Sequence, residues 1–166
     1  MKTLALLLAF YATFLNASDT LTVIQDEQSQ TGNILPGSVE VPVAFLTLDA
    51  SASNDNLRLD SLPFVLELKN GCLPSYLTTC QLFDGTSPLN TGVNIVNPNA
   101  SGGKTFTLDS PLVIARGSVK TLRLLANIAL GAHGEFVWTV SRTNPIVCMG
   151  VTTGVPVQVT VTNSTP

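Results

Sequence analysis

In Val155-Pro156-Val157-Gln158-Val159-Thr160-Val161-Thr162, a valine stands at every second position. That period of two is the side-chain alternation of a β-strand, so the four valines share one face and the polar face can be wet. Pro156 has no N–H for a ladder, which places it at the start of its strand or on a sheet edge. Phe136, Trp138 and Val140 repeat the pattern. Further strand candidates are residues 21–25, 80–83, 93–96, 104–108, 112–114, 119–128 and 146–149, punctuated by Gly, Pro, Asn, Asp and Ser. Within 119–129 the period is mixed, which also admits a helix. Gly117 before it, Gly131 after it, and Val and Thr inside it favour a strand.

Two runs change phase. Val39, Val41, Val43 and Phe45 alternate, and then Leu46 and Leu48 take the opposite face, which requires a bulge or burial on both faces. Leu57 and Leu59 alternate up to Ser61, after which Leu62, Phe64, Leu66 and Leu68 follow in the other phase. Such bends suit strands that cross between two packed sheets. The spacing predicts an all-β chain: a single antiparallel β-sandwich, Ig-like or jelly-roll-like, with about nine to eleven strands. Apolar residues at 45% supply its core, and no solenoid or propeller period is visible.

Residues 1–17 read as a secretory signal peptide. Lys2 is the positive start, residues 4–15 are an uncharged, mostly apolar run, and Asn16-Ala17 offers a cleavage point before Ser18. An uncleaved anchor is the alternative, since Leu15 falls where a small residue is preferred, but the run is short of the roughly 20 residues of a spanning helix. The mature domain is therefore expected at 18–166, secreted or at a cell surface, with no membrane span. Only 11% of the residues are charged, 8 basic against 11 acidic, which excludes the basic footprint of a nucleic-acid binder.

Chemistry is sparse. Cys72 and Cys80 bracket seven residues, and export would expose them to an oxidising compartment, so a disulfide between them is expected. Cys148 is left over, either as a buried thiol or as an intermolecular link. Asp49, Asn54, Asp55, Asn56 and Asp60 form the densest oxygen cluster, with Asp49, Asp55 and Asp60 as weak calcium candidates. The spacing lacks the Gly and terminal Glu of the twelve-residue calcium loop, and turn chemistry alone explains Asn-Asp-Asn, so no metal or other cofactor is expected. The one histidine, His133, lies among glycines and reads as a turn residue. Neither a zinc set nor a nucleophile elbow is present. Most aromatics fall in apolar strands. Tyr76, in the cysteine loop, is the candidate ligand contact. Asn99-Ala100-Ser101 and Asn163-Ser164-Thr165 match the N-glycosylation pattern.

Asn33-Ile34-Leu35-Pro36-Gly37-Ser38 with Val41-Pro42-Val43-Ala44-Phe45, Leu57-Arg58-Leu59-Asp60-Ser61-Leu62, Cys80-Gln81-Leu82-Phe83-Asp84-Gly85, and residues 112–122 from Leu112 to Leu122 follow one another in order. This set resembles a β-sandwich domain of secreted, pilus-like or coat-like surface proteins from uncultivated small-genome bacteria. The resemblance implies an extracellular structural or adhesive module and brings no catalytic residues.

The sequence therefore leads to a non-enzymatic structural protein of the cell surface that self-associates into a filament, fibre or coat. Leu21-Thr22-Val23-Ile24 follows the mature terminus closely and is a candidate donor strand for a neighbour, the alternative being pairing within its own domain. A second class is an adhesion module that binds a surface protein or glycan through loops 51–56, 70–79 and 97–103 at one end of the sandwich.

Overall fold

Strands with one apolar face must bury it against another such face, and this chain does so with two sheets. The computed structural model describes residues 19–26 and 34–163. Among them the strands are β1 (Thr20–Gln25), β2 (Val41–Asp49), β3 (Leu57–Lys69), β4 (Leu77–Asp84), β5 (Ser87–Pro88), β6 (Gly102–Ile114), β7 (Val119–Ile128), β8 (Glu135–Val140), β9 (Cys148–Gly150) and β10 (Gln158–Asn163). The larger sheet has the order β10-β1-β2-β7-β4-β5. The smaller has the order β6-β3-β8, with β9 beside β3.

The core lies between them. Leu46 and Leu48 of β2, Leu122 and Leu124 of β7 and Leu82 of β4 face Leu57, Leu59, Leu62, Phe64 and Leu66 of β3, all at most 1% exposed. Phe64, Phe106 and Trp138, from three of the four strands of the smaller sheet, meet edge to face with ring centroids 5.1, 5.7 and 6.2 Å apart. That geometry sets positive ring edges against negative ring faces. Phe45, Phe83 and Phe136 are only half-buried, so the core holds fewer aromatics than the strand pattern implies.

Both phase changes mark bulges. The β2–β7 register shifts between Pro42 and Ala44, and from there Ala44, Leu46 and Leu48 point inward. In β3 the register against β6 shifts between Leu59 and Ser61, and the inward series restarts at Leu62. Neither strand changes sheet, contrary to the expectation from their bends. In β3 the bend instead separates the half that pairs β9 from the half that pairs β8.

Two further expectations are corrected. The sandwich is not wholly antiparallel, because β1 and β10 run parallel, from Thr20↔Gln158 to Gln25↔Asn163. Residues 93–96 are not a strand: a 3-10 turn, Gly92–Asn94, leads to a single bridge between Val96 and Cys80. Polar side chains hold this turn where a ladder would otherwise run. Asn90, fully buried, accepts from Leu82 N and donates to Asn94 O, and Asp109 accepts from Thr91 N, Thr91 Oγ1 and Asn94 Nδ2. Residues 104–108 and 112–114 belong to one thirteen-residue strand, β6.

One buried side chain joins the sheets on the opposite flank. Gln25, 3% exposed at the end of β1, donates from Nε2 to Trp138 O at 2.6 Å and accepts from Val140 N at 2.8 Å. Both groups lie on the side of β8 turned away from β3, so the amide pairs with that edge as a strand would.

Candidate interaction surfaces

At one pole of the sandwich three loops converge, with Glu40 as their one charged residue. Gly37 N donates to Ile128 O, which fastens loop 34–39 to the end of β7, and a Cβ on Gly37 would stand 2.7 Å from Leu130 Cδ2. Ala129 N donates to Tyr76 O, fastening loop 70–76 to the same place. Tyr76 Oη lies 3.2 Å from His133 Nδ1, with the rings 5.1 Å apart and tilted. The result is a cluster of protruding aliphatic side chains: Leu35 is 76% exposed, Val39 70% and Leu130 86%, with Leu73 at 50% nearby. Single exposed aliphatics are ordinary, whereas several on adjoining, sparsely charged loops make a candidate interaction surface. Tyr76 itself is half-buried, sharing its hydroxyl with His133, so it flanks this surface and does not stand alone on it.

The proposed ligand loops do not share one end. Loop 70–76 closes β3 at the apolar pole, and residues 97–101 precede the end of β6 that pairs Leu66. Loop 51–56 lies at the opposite pole, between the end of β2 and the start of β3. Leu35 and Leu130 escaped the sequence reading because strand periodicity carries no information about loop tips, and Val39, read there as the start of an alternating strand, stands before β2 and is 70% exposed. The available signal was apolar residues inside Gly- and Pro-bearing turns with a single charge, Glu40, among them.

The sheet edges differ in how they are protected. Gln25 covers β8, and residues 155–157 cover β9 through Val157 N to Cys148 O and Gly150 N to Val155 O. The free edge of β4 carries residues 87–96, and β5 is two residues long with Pro88 in it. Strand β6 has Lys104, Asp109 and Pro111, the kind of residues that discourage pairing. Strand β10 has none of these devices. It ends the larger sheet, none of the described residues pairs with its outer side, and the sequence carries no charge from Val151 to Pro166. Val159 and Val161 lean on the core yet remain half-exposed.

Leu21, Thr22, Val23 and Ile24, the candidate donor strand, are placed in β1 between β10 and β2 of their own domain. Leu21 and Val23 are fully buried there. This is the intramolecular alternative, and its cause is that β1 completes the core while Gln25 completes β8. Residues 1–17, read as a signal peptide, lie outside the described residues.

The expected disulfide is not found: Cys72, Cys80 and Cys148 are all free and buried. Cys80 faces the core from β4 in the larger sheet, whereas Cys72 lies in the turn that closes β3 of the smaller sheet, its Sγ donating to Leu73 O at 3.8 Å. Burial raises all three thiols, Cys80 to about 12 and Cys148 to about 11. Little thiolate is then present to initiate exchange.

The carboxylates proposed for calcium are occupied by protein donors. Asp49 Oδ1 accepts from Ser51 N. Asp55, 8% exposed, accepts from Thr152 N at 2.8 Å and Thr153 N at 2.9 Å and so ties loop 151–154 to loop 51–56. Asp60 accepts from Arg58 Nε and Nη2. Asp19 accepts from Ser53 Oγ, Asn54 N and Asp55 N, completing this polar pole. Among the described residues no three His, Cys, Asp or Glu side chains gather as a metal ion would need. Asn99 of the first glycosylation pattern is exposed, its Oδ1 accepting from Lys104 Nζ. No helix among the described residues is long and apolar enough to cross a membrane. No protein-family model matches the chain, and no curated protein is significantly similar to it.

Proposed function

We propose that this chain is a secreted, non-enzymatic structural protein of a cell surface, similar in role to pilus- or coat-forming subunits, that self-associates into a filament, fibre or coat. The observation that carries this is the apolar pole, where Leu35, Val39 and Leu130 project from loops fastened to one another by backbone hydrogen bonds. Net negative charge disfavours close approach of two copies in general, and this pole, with Glu40 as the one charged residue in its three loops, is where they meet with least repulsion. The signal peptide expected at residues 1–17 and the two-sheet fold are in keeping with the same reading.

The test is light scattering and negative-stain electron microscopy on the chain beginning at Ser18, beside the double variant Leu35→Glu, Leu130→Glu. Assemblies that shrink or vanish in the variant, with the fold intact, support the proposal. A monomeric parent protein defeats it.

A second reading uses the same pole to bind a surface protein or glycan, favoured by the Tyr76–His133 pair beside the aliphatic cluster. Glycan-array hits lost in Tyr76→Ala, from a protein that stays monomeric, would select it.

A further inference from the structure

The geometry points to a two-fold pairing of this chain with a second copy of itself through β10, antiparallel and centred on Thr160, which fuses two larger sheets into one. It extends the self-association reading to a surface distinct from the apolar pole.

The direction of the free backbone groups is fixed by their neighbours. Gln158 N donates toward β1, to Asp19 O, and Val157 N donates the other way, to Cys148 O. Since N–H and C=O groups alternate sides along a strand, Val159 and Val161 present theirs to the open edge. Among the described residues their backbones have no partner strand on that side, and these are the groups that a seventh strand would take up.

The occupant follows from charge and alternation. This edge belongs to the uncharged stretch from Val151 to Pro166, so two copies of a net-negative protein meet here with no like charges opposed across the seam. An antiparallel two-fold through Thr160 sets Val159 opposite the partner's Val161, and Val161 opposite the partner's Val159. Each of these pairs exchanges two backbone hydrogen bonds. Thr160 then faces its own copy as a non-hydrogen-bonded pair, and Gln158 faces Thr162. Valines stay with valines on the inward side and polar residues with polar residues on the wet side, so the half-exposed Val159 and Val161 of both copies cover one another. A two-fold between residues would set Val against Thr and lose this match.

The pairing also orients the poles. Because β10 runs antiparallel to its copy, the two apolar poles point in opposite directions. A closed pair therefore carries one apolar pole at each end, and pole-to-pole contact between pairs builds an open chain from two self-complementary interfaces.

The experiment is cysteine cross-linking on the chain beginning at Ser18, with the parent protein followed by light scattering. Thr160 and Thr162 are exposed on the wet face, so single cysteines there leave the core untouched. Directly opposed residues of a non-hydrogen-bonded pair lie about 4.5 Å apart at Cα, within disulfide reach. Thr160→Cys is expected to give a covalent dimer under mild oxidation at least about tenfold faster than Thr162→Cys, because only the former faces its own copy. Mixing Gln158→Cys with Thr162→Cys restores cross-linking. Equal rates at 160 and 162, or none at either, overturn the pairing. If the parent still assembles in that case, the self-association reading stands without this interface; a monomeric parent with no cross-link removes both.

Discussion

Gln25→Leu isolates what joins the two sheets. The substitution conserves bulk and removes both amide hydrogen bonds, leaving Trp138 O and Val140 N without the partner that now satisfies them at 2.6 and 2.8 Å. The side chain is 3% exposed, so solvent does not replace what is lost without opening the flank. Each stranded backbone group costs about 1–3 kcal/mol, and the apolar replacement returns part of that, for a net loss of about 3 kcal/mol. With an m-value of about 2 kcal/mol/M in urea, the unfolding midpoint falls by about 1.5 M at unchanged m. Trp138, fully buried, reports the transition by fluorescence. A midpoint within about 0.3 M of the parent, at the same m, would refute the bridging role, since that shift is within the scatter of such measurements. Gln25→Glu sharpens the test. A carboxylate accepts from Val140 N but cannot donate to Trp138 O, and burial opposes its charge, so its folded pKa rises above the unfolded value of about 4.3. Its stabilising form is the protonated one. Stability is therefore retained below about pH 4.3 and is lost as pH rises through the folded pKa.

Other perturbations probe separate parts of the fold. Gly134→Ala places a methyl closer than 3.0 Å to Cys72 N, Asn70 O and Lys69 O at φ +84, so a loss of about 2–4 kcal/mol is expected in thermal unfolding. Hydrogen bonds from Ser51 to Asp49, from Thr153 and Thr152 to Asp55, and from Thr91 and Asn94 to Asp109 hold these carboxyls below their usual range. Groups with depressed folded pKa stabilise above the unfolded pKa and lose that contribution as pH falls, so stability declines below about pH 5 and Asp109→Asn flattens the decline. The three thiols should resist a thiol reagent at pH 8 in the native protein and all react in urea; a two-dalton mass change on reduction of the native protein would instead restore the Cys72–Cys80 bridge.

The sequence made the strands legible because burial on one face writes a period of two into it. The phase breaks after Phe45 and near Ser61 announced bulges in β2 and β3, the first lying a few residues earlier, between Pro42 and Ala44, since an inward series can restart only where a residue is inserted. Residues 93–96 misled because β-branched residues also suit an edge turn held by Asn90 and Asp109, whose contacts span up to 18 positions. The parallel pairing of β1 with β10 joins opposite ends of the domain, and no local pattern encodes it. The same distance hides the role of Gln25, a polar residue that closes an apolar strand and finds its partners 113 and 115 positions away. The proposed interaction surfaces were legible only in part. The valine stripe of β10 was visible, but its openness depends on which strand ends the sheet, and the apolar pole depends on three loops meeting.

Sedimentation velocity of the chain beginning at Ser18, over a wide range of protein concentration, tests the central claim of self-association most directly. The account predicts a weight-average mass that climbs with concentration from the single chain through the two-chain species to larger assemblies. One sharp boundary at the mass of a single chain, at every concentration, would contradict it.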